Sequence, residues 1–166
     1  MSVAEAADQA FVERVRTIAT EVAALHADSV DREARFPAET IDALREAQAL
    51  SAFVPEELGG QGVSFEALAD ACFELARRCA ATSMVYGMHQ IQVDSIVRHR
   101  GDSAWFEDYL RRLAAEERLI ASTGKRALRS TSSACGPAIS SAIRRMSARN
   151  AVSASVAIMV MRRLRP

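Results

Sequence analysis

Lysine is almost missing from this 166-residue chain: Lys125 stands alone against 20 arginines. Aromatics make up 5% of the residues, and there are only seven glycines and four prolines. Alanine, leucine, glutamate and arginine dominate instead, a composition that favours helix over sheet. The three cysteines, Cys72, Cys79 and Cys135, have no metal-ligand spacing and form no even disulfide set. Cys72 and Cys79 are seven apart, on one face of a helix, and read as small buried hydrophobes. The opening MSVAEAADQAF lacks a basic region and carries Glu5 and Asp8, so no secretory signal is expected. The apolar run AVSASVAIMVM has about 11 residues, where a membrane span needs about 20. These absences lead to the expectation of a soluble, cytoplasmic protein without a membrane span.

Acid is also missing from one part of the chain. Residues 1–117 hold all 21 acidic residues and 11 arginines, a net charge of −10. Residues 118–166 hold ten basic residues and no acid, a net charge of +10. The basic part has arginine spread through it without aromatic stacking partners, so nucleic acid is not the expected partner.

What is present is helical periodicity. Phe11, Val15, Ile18, Val22 and Leu25 repeat at 4, 3, 4, 3 and predict one long helix from near Val3 to near Asp28. RFPAETIDALREAQAL follows, with Pro37 in a first helical turn, Glu39 complementing the dipole, and Ile41, Leu44 and Ala47 inward. Ser64 caps a third helix with Phe65, Leu68, Cys72, Leu75 and Cys79 on its inner stripe. Thr82 or Ser83 opens a fourth, apolar over more of its circumference and therefore central. Gly101 stops it, and Asp102 caps a fifth helix with Trp105, Phe106, Tyr109, Leu110 and Leu113 inward. The expected fold is an all-α bundle of about five helices over residues 1–124. An irregular basic tail of Arg, Ser and Ala follows over 125–166, where no period holds.

The stretch VPEELGGQGVSF, residues 54–65, concentrates Gly59, Gly60 and Gly62. A phosphate cradle places its glycines between a strand and a helix with no acid alongside. Here Glu56 and Glu57 would repel a phosphate. A joint is the better reading: a short turn of PEEL, ended by Gly59 at positive φ. No two of His26, His89 and His99 share an i, i+4 spacing with acidic ligands, so no metal site is expected. His89 reads as a core or cleft-edge residue. No nucleophile–base set can be assembled from spacing, and Asp94, Asp102, Glu107 and Asp108 read as caps and solvated faces. The residues alone therefore predict no catalytic, cofactor-binding or metal-binding side chain.

FPAETIDALREAQAL, AFVPEELGGQGVSFEALADACFELAR and ATSMVYGMHQIQVDSIVRHRGDSAWFEDYLRRLAAEERLIAST come in an order and spacing that resembles the N-terminal domain of the acyl-CoA dehydrogenase family. The most specific piece is an apolar residue followed by Pro-Glu-x-x-Gly-Gly-x-Gly and a helix ending in ELAR. The resemblance covers about three quarters of the chain. It implies a flavoenzyme of three domains that takes the α-proton of an acyl thioester and passes the β-hydride to FAD. It also implies that the helical N-terminal domain mostly walls the acyl-chain pocket. The positions carried over are Met84, Tyr86, Gly87, His89 and Gln90, with core packing as the alternative reading of each.

The sequence departs from the family after LIAST. The Thr-Glu-Pro-x-x-Gly-Ser-Asp motif does not follow, and no residue corresponds to the family's catalytic glutamate. The expectation is therefore a fragment that binds no FAD by itself and is inactive alone, with 125–166 either a genuine tail or an out-of-frame product. Two other readings stand beside it. One is a non-catalytic helical interaction module that self-associates through apolar surface its missing domains would cover. The other is a fragment of a flavin-dependent monooxygenase of the same fold.

Overall fold

The computed structural model describes residues 2–121. The boundary expected at residue 124 and the tail 125–166 lie outside the described residues. Residues through Leu119 form one compact unit. Its elements, in chain order, are α1 (Val3–Ile18), a π-helical segment (Ala19–Ala23), α2 (Ala24–Arg32), α3 (Ala38–Glu46), a 3-10 turn (Glu56–Leu58), α4 (Phe65–Ala76), α5 (Ala80–His99) and α6 (Ala104–Glu116). The described residues contain no strand. Because α1, the π segment and α2 run on without a break, five long helical rods result, as the periodicity predicts.

The first rod starts with a capping box. Ser2 accepts from the Glu5 amide while the Glu5 carboxylate accepts from the Ser2 amide at 2.7 Å. Its inward residues are Phe11, Val15, Ala19, Ala23 and Val30. The three successive spacings of four from Phe11 to Ala23 would drift about 40° per step around an ideal α-helix. The wider π turn over Ala19–Ala23 takes up this drift and keeps the small alanines on the core side. The expected stripe through Leu25 is thereby corrected: Leu25 is exposed, and the rod runs past Asp28 to Arg32.

α1 packs on α4, α4 on α5, and α3 against the π segment. The shared core contains Phe11, Val15, Ile41, Leu44, Leu68, Leu75 and Tyr86. Ser64 caps α4 as expected, accepting from the Ala67 amide at 3.1 Å. The expected α4 stripe is corrected at both ends. Phe65 is exposed, and Cys79 lies beyond the helix, buried at the N-cap of α5. α5 starts at Ala80, so Thr82 and Ser83 lie inside it. α6 is preceded by Ser103, whose carbonyl, not the Asp102 side chain, receives the Phe106 amide at 3.0 Å. Trp105 is partly exposed and stacks on Tyr109 with ring centroids 5.5 Å apart.

The glycine stretch is a joint. Glu56–Leu58 makes one 3-10 turn, and Gly59 ends it at φ 91°. The chain then folds back over the preceding segment: Gly62 donates its amide to the Val54 carbonyl at 2.9 Å, and Val63 donates to Ala52 at 3.0 Å. Gly60 has a reason not visible in the sequence. A β-carbon there would sit 2.0 Å from the Val54 carbonyl oxygen. Backbone cannot give way as a flexible side chain can, so Gly60→Ala is expected to lower the unfolding free energy by about 3 kcal/mol. Urea denaturation checks this, and a variant as stable as the parent would contradict the close approach.

Candidate functional site

Between α3 and the 3-10 turn the chain leaves helical geometry and goes directly into the core. Ala49, Leu50, Ser51, Ala52 and Val54 are all buried. Buried backbone without a ladder needs other partners for its N–H and C=O groups. Long-range side chains supply them. Tyr86 donates its hydroxyl to the Ala49 carbonyl at 3.0 Å. Gln90 donates its amide to the carbonyls of Ala49 at 3.0 Å and Leu50 at 3.3 Å. His89 Nε2 lies 2.7 Å from the Leu50 carbonyl, which makes Nε2 the protonated nitrogen. From the other side, Glu117 Oε2 accepts from the amides of Leu50 at 2.8 Å and Ser51 at 3.2 Å, and Oε1 accepts from the Ser51 hydroxyl.

These environments decide the protonation states. Burial lowers the His89 pKa to about 4, so the ring is neutral at physiological pH. Burial pushes the Tyr86 phenol far up. Burial also raises the Glu117 pKa, against the lowering effect of its hydrogen bonds to Ser51 and Leu50. All three are hydrogen-bonded to the 49–51 backbone, and Glu117 also to the Ser51 hydroxyl.

Sequence reasoning missed Glu117. A signal existed: Glu116 and Glu117 sit at the C-terminal end of α6, where the helix dipole disfavours negative charge. Glu117 takes a left-handed conformation at φ 45°, which turns its carboxylate inward. The Arg45 guanidinium donates to its backbone carbonyl at 3.2 Å.

The five expected pocket-wall positions divide between two faces of α5. Tyr86, His89 and Gln90 point into the core and bind the 49–50 backbone. Met84 points out and is 66% exposed. Gly87 is half-buried, and a β-carbon there would meet only the Cys72 Sγ, at 3.6 Å. Met88 and Ile91, at 43% and 56% exposure, continue the Met84 stripe at positions i+4 and i+7. No charged residue occurs in α5 before Asp94. From Met84 to Ile91 the outer face is thus an uncharged apolar strip about 11 Å long at 1.5 Å per residue, with a dip at Gly87.

Among the described residues no group of His, Cys, Asp or Glu converges as a metal site. The amides of Gly59, Gly60 and Gly62 are spent on Glu56, Pro55 and Val54 carbonyls, so the glycine turn does not fit a flavin pyrophosphate. No helix of the described residues is long and apolar enough to cross a membrane.

The unit is all-helical, with a hydrogen-bonded inner face and an apolar outer strip on α5. The family model of the acyl-CoA dehydrogenase N-terminal domain matches residues 5–117. The chain belongs to the acyl-CoA dehydrogenase family, which is FAD-dependent and acyl-CoA-utilising. It is 34% identical over 102 residues to a probable acyl-CoA dehydrogenase, fadE25, of Mycobacterium leprae, covering 61% of this chain and 26% of that protein. It is 33% identical over 79 residues to the 3-sulfinopropanoyl-CoA desulfinase of Paraburkholderia xenovorans, covering 48% of this chain and 20% of the relative. A third relative is the mitochondrial short-chain specific acyl-CoA dehydrogenase of Bos taurus, 36% identical over 63 residues, with 38% and 15% covered. The aligned part spans about a quarter or less of each relative's length.

Two stability predictions come from the hydrogen-bonded segment. The unfolded chain protonates His89 near its ordinary 6.5, while the folded chain holds off until about 4. Its contribution to stability is therefore full above 6.5 and falls as pH drops towards 4, by up to about 3 kcal/mol. Chemical denaturation of the parent and His89→Gln across this range is expected to show a flatter slope for the variant. Equal slopes would refute it. Glu117 has the opposite sign: with its folded pKa raised, its contribution is full below the unfolded value and declines as pH rises through the folded one. Glu117→Ala leaves three donors without their acceptor, a loss of about 3 kcal/mol. The parent's advantage over Glu117→Gln should widen as pH falls from neutrality.

Proposed function

We propose that this unit serves an FAD-dependent acyl-CoA oxidoreductase by walling the acyl chain of a CoA thioester. The observation that carries this reading is the uncharged outer strip of α5 in a chain of this family. Met84 and Gly87 touch the chain, with Met88 and Ile91 extending the contact. Tyr86, His89 and Gln90 are positioning residues that fix the helix from its inner side. Gly87 leaves a methylene-sized dip where a side chain would otherwise stand. When bound in such an enzyme, the flavin accepts the β-hydride after the α-proton is removed. Neither the flavin site nor the base that takes this proton is assigned to any described residue. Two of the relatives carry names of different reactions, a dehydrogenase and a desulfinase, and both names specify a CoA thioester. The shared thioester supports assigning this unit to the acyl group rather than to the reacting bond.

The exposure of Met84, Met88 and Ile91 also favours a second reading, in which the same strip pairs with apolar surface of another copy. Size-exclusion chromatography over a concentration series separates the two: a monomer at all concentrations excludes self-association through this face.

The test of the acyl-wall reading is photolabelling with a diazirine-bearing fatty acyl-CoA. Label is expected on the α5 outer face, and label distributed evenly over α1, α4 and α6 would overturn the reading. Gly87→Ala and Gly87→Leu sharpen it. The alanine variant makes only an ordinary contact with Cys72 and gains up to about 1 kcal/mol of helix stability. The leucine variant fills the dip and is expected to reduce labelling by about tenfold, since each 1.4 kcal/mol is a factor of ten.

A further inference from the structure

The outer strip of α5 contains two thioethers, Met84 and Met88, one helical turn apart and both open to solvent. Across from the gap between them lies a third sulfur, the half-buried Cys72 Sγ beside Gly87. We propose that Met84 and Met88 are an oxidation site for hydrogen peroxide, and that their conversion to sulfoxides switches off the acyl-binding face of this unit. The proposal rests on the acyl-wall reading of the same face.

The reaction is balanced without any protein cofactor. The thioether sulfur attacks one peroxide oxygen, an S–O bond forms as the O–O bond breaks, and hydroxide departs. The hydroxide takes the remaining proton from the new S–OH group and leaves as water. Sulfur has lost two electrons and peroxide has gained them. A thioether needs no ionisation for this step, and exposure sets its rate. The Cys72 thiol must first become a thiolate, and burial pushes its pKa up, so it reacts more slowly.

The consequence for the face is large because nothing else on it is polar. No charged side chain stands between Ala80 and Val93, so the sulfoxide oxygens would be its strongest dipoles. The inner face is untouched, since Tyr86, His89 and Gln90 keep their bonds to the 49–50 carbonyls on the far side of the helix. Oxidation therefore changes what the helix offers without unfolding it. A methionine sulfoxide is also reducible, so the change can be reversed.

The experiment uses the full chain, hydrogen peroxide as oxidant and a dansyl-labelled undecanoic acid as the acyl probe. Peptide mass spectrometry is expected to find one oxygen on each of Met84 and Met88 before Cys72 is modified. Their rates should be equal at about pH 6 and about pH 8, while that of Cys72 rises with pH. Probe affinity should fall about tenfold, the loss expected when roughly 50 Å² of apolar contact turns polar. Met84→Leu/Met88→Leu should keep its affinity through the same treatment, with circular dichroism unchanged in both proteins. Modification of Cys72 first, absence of sulfoxide at both positions, or equal loss of affinity in the leucine variant would overturn the proposal. Probe binding that survives sulfoxidation sinks the switch alone. Probe binding equal in the parent and in Met84→Gln/Met88→Gln sinks the acyl-wall reading and the switch with it.

Discussion

Burying the irregular segment from Ala49 to Val54 is the constraint on which the rest of this unit depends. A helix or strand satisfies its own backbone, whereas a buried loop leaves each N–H and C=O to be matched separately. Here the matching is nearly complete along the run. The carbonyls of Ala49 and Leu50 go to Tyr86, His89 and Gln90, those of Ala52 and Val54 to the amides of Val63 and Gly62, and the amides of Leu50 and Ser51 to Glu117. Four parts of the chain are tied to one short segment: α5, the end of α6, the glycine turn and α3, whose Leu44 carbonyl accepts from the Ala49 amide at 2.8 Å. An unpaired buried group costs about 1–3 kcal/mol, so each of these ties restricts the register of the element that makes it.

This explains why α5 is built inside out. An ordinary surface helix turns its apolar side to the core and its polar side to water. α5 buries Thr82, His89, Gln90 and Gln92 and exposes Met84, Met88 and Ile91. The burial of His89 and Gln90 follows from the Ala49 and Leu50 carbonyls they reach. Some polarity is left over: Thr82 Oγ1, Gln90 Oε1 and Gln92 Oε1 find no hydrogen-bond partner among the described residues. Core packing does not require the exposed apolar side, since Tyr86, Val93 and Ile96 already supply the apolar contribution of this helix. The outer strip is therefore apolar surface that this unit leaves uncovered.

Sequence pattern was a good guide wherever a helix has one ordinary apolar stripe. Phe11 and Val15 in α1, Ile41 and Leu44 in α3, and Phe106, Leu110 and Leu113 in α6 are buried as their spacing predicts. It failed where small residues rather than large ones define the buried side. Ala19 and Ala23 take the core and leave Leu25 outside; Ala67 and Ala71 do so in α4 and leave Phe65 outside. The sequence named the candidate positions Met84, Tyr86, Gly87, His89 and Gln90 without their directions: they lie within seven residues, yet helical geometry sends them to opposite sides. Glu117 was hidden for a different reason: its partners lie 66 and 67 residues earlier, and no local period reports such a contact.

The glycine turn shows the same separation of identity from chemistry. Its sequence is the most specific piece of the resemblance to the family, yet its amides face inward and its would-be β-carbon at Gly60 lies against Val54. Its specificity is thus that of a packing joint: only this arrangement lets the chain double back over residues 52–54 and close the buried segment. That segment in turn fixes Tyr86, His89 and Gln90, and so sets the rotation of α5 about its own axis. A helical residue occupies about 100° of arc, so slipping α5 by one residue would carry Met84 and Met88 off the outer face. The turn therefore acts on the outer strip of α5 at one remove, through backbone hydrogen bonds and helix rotation.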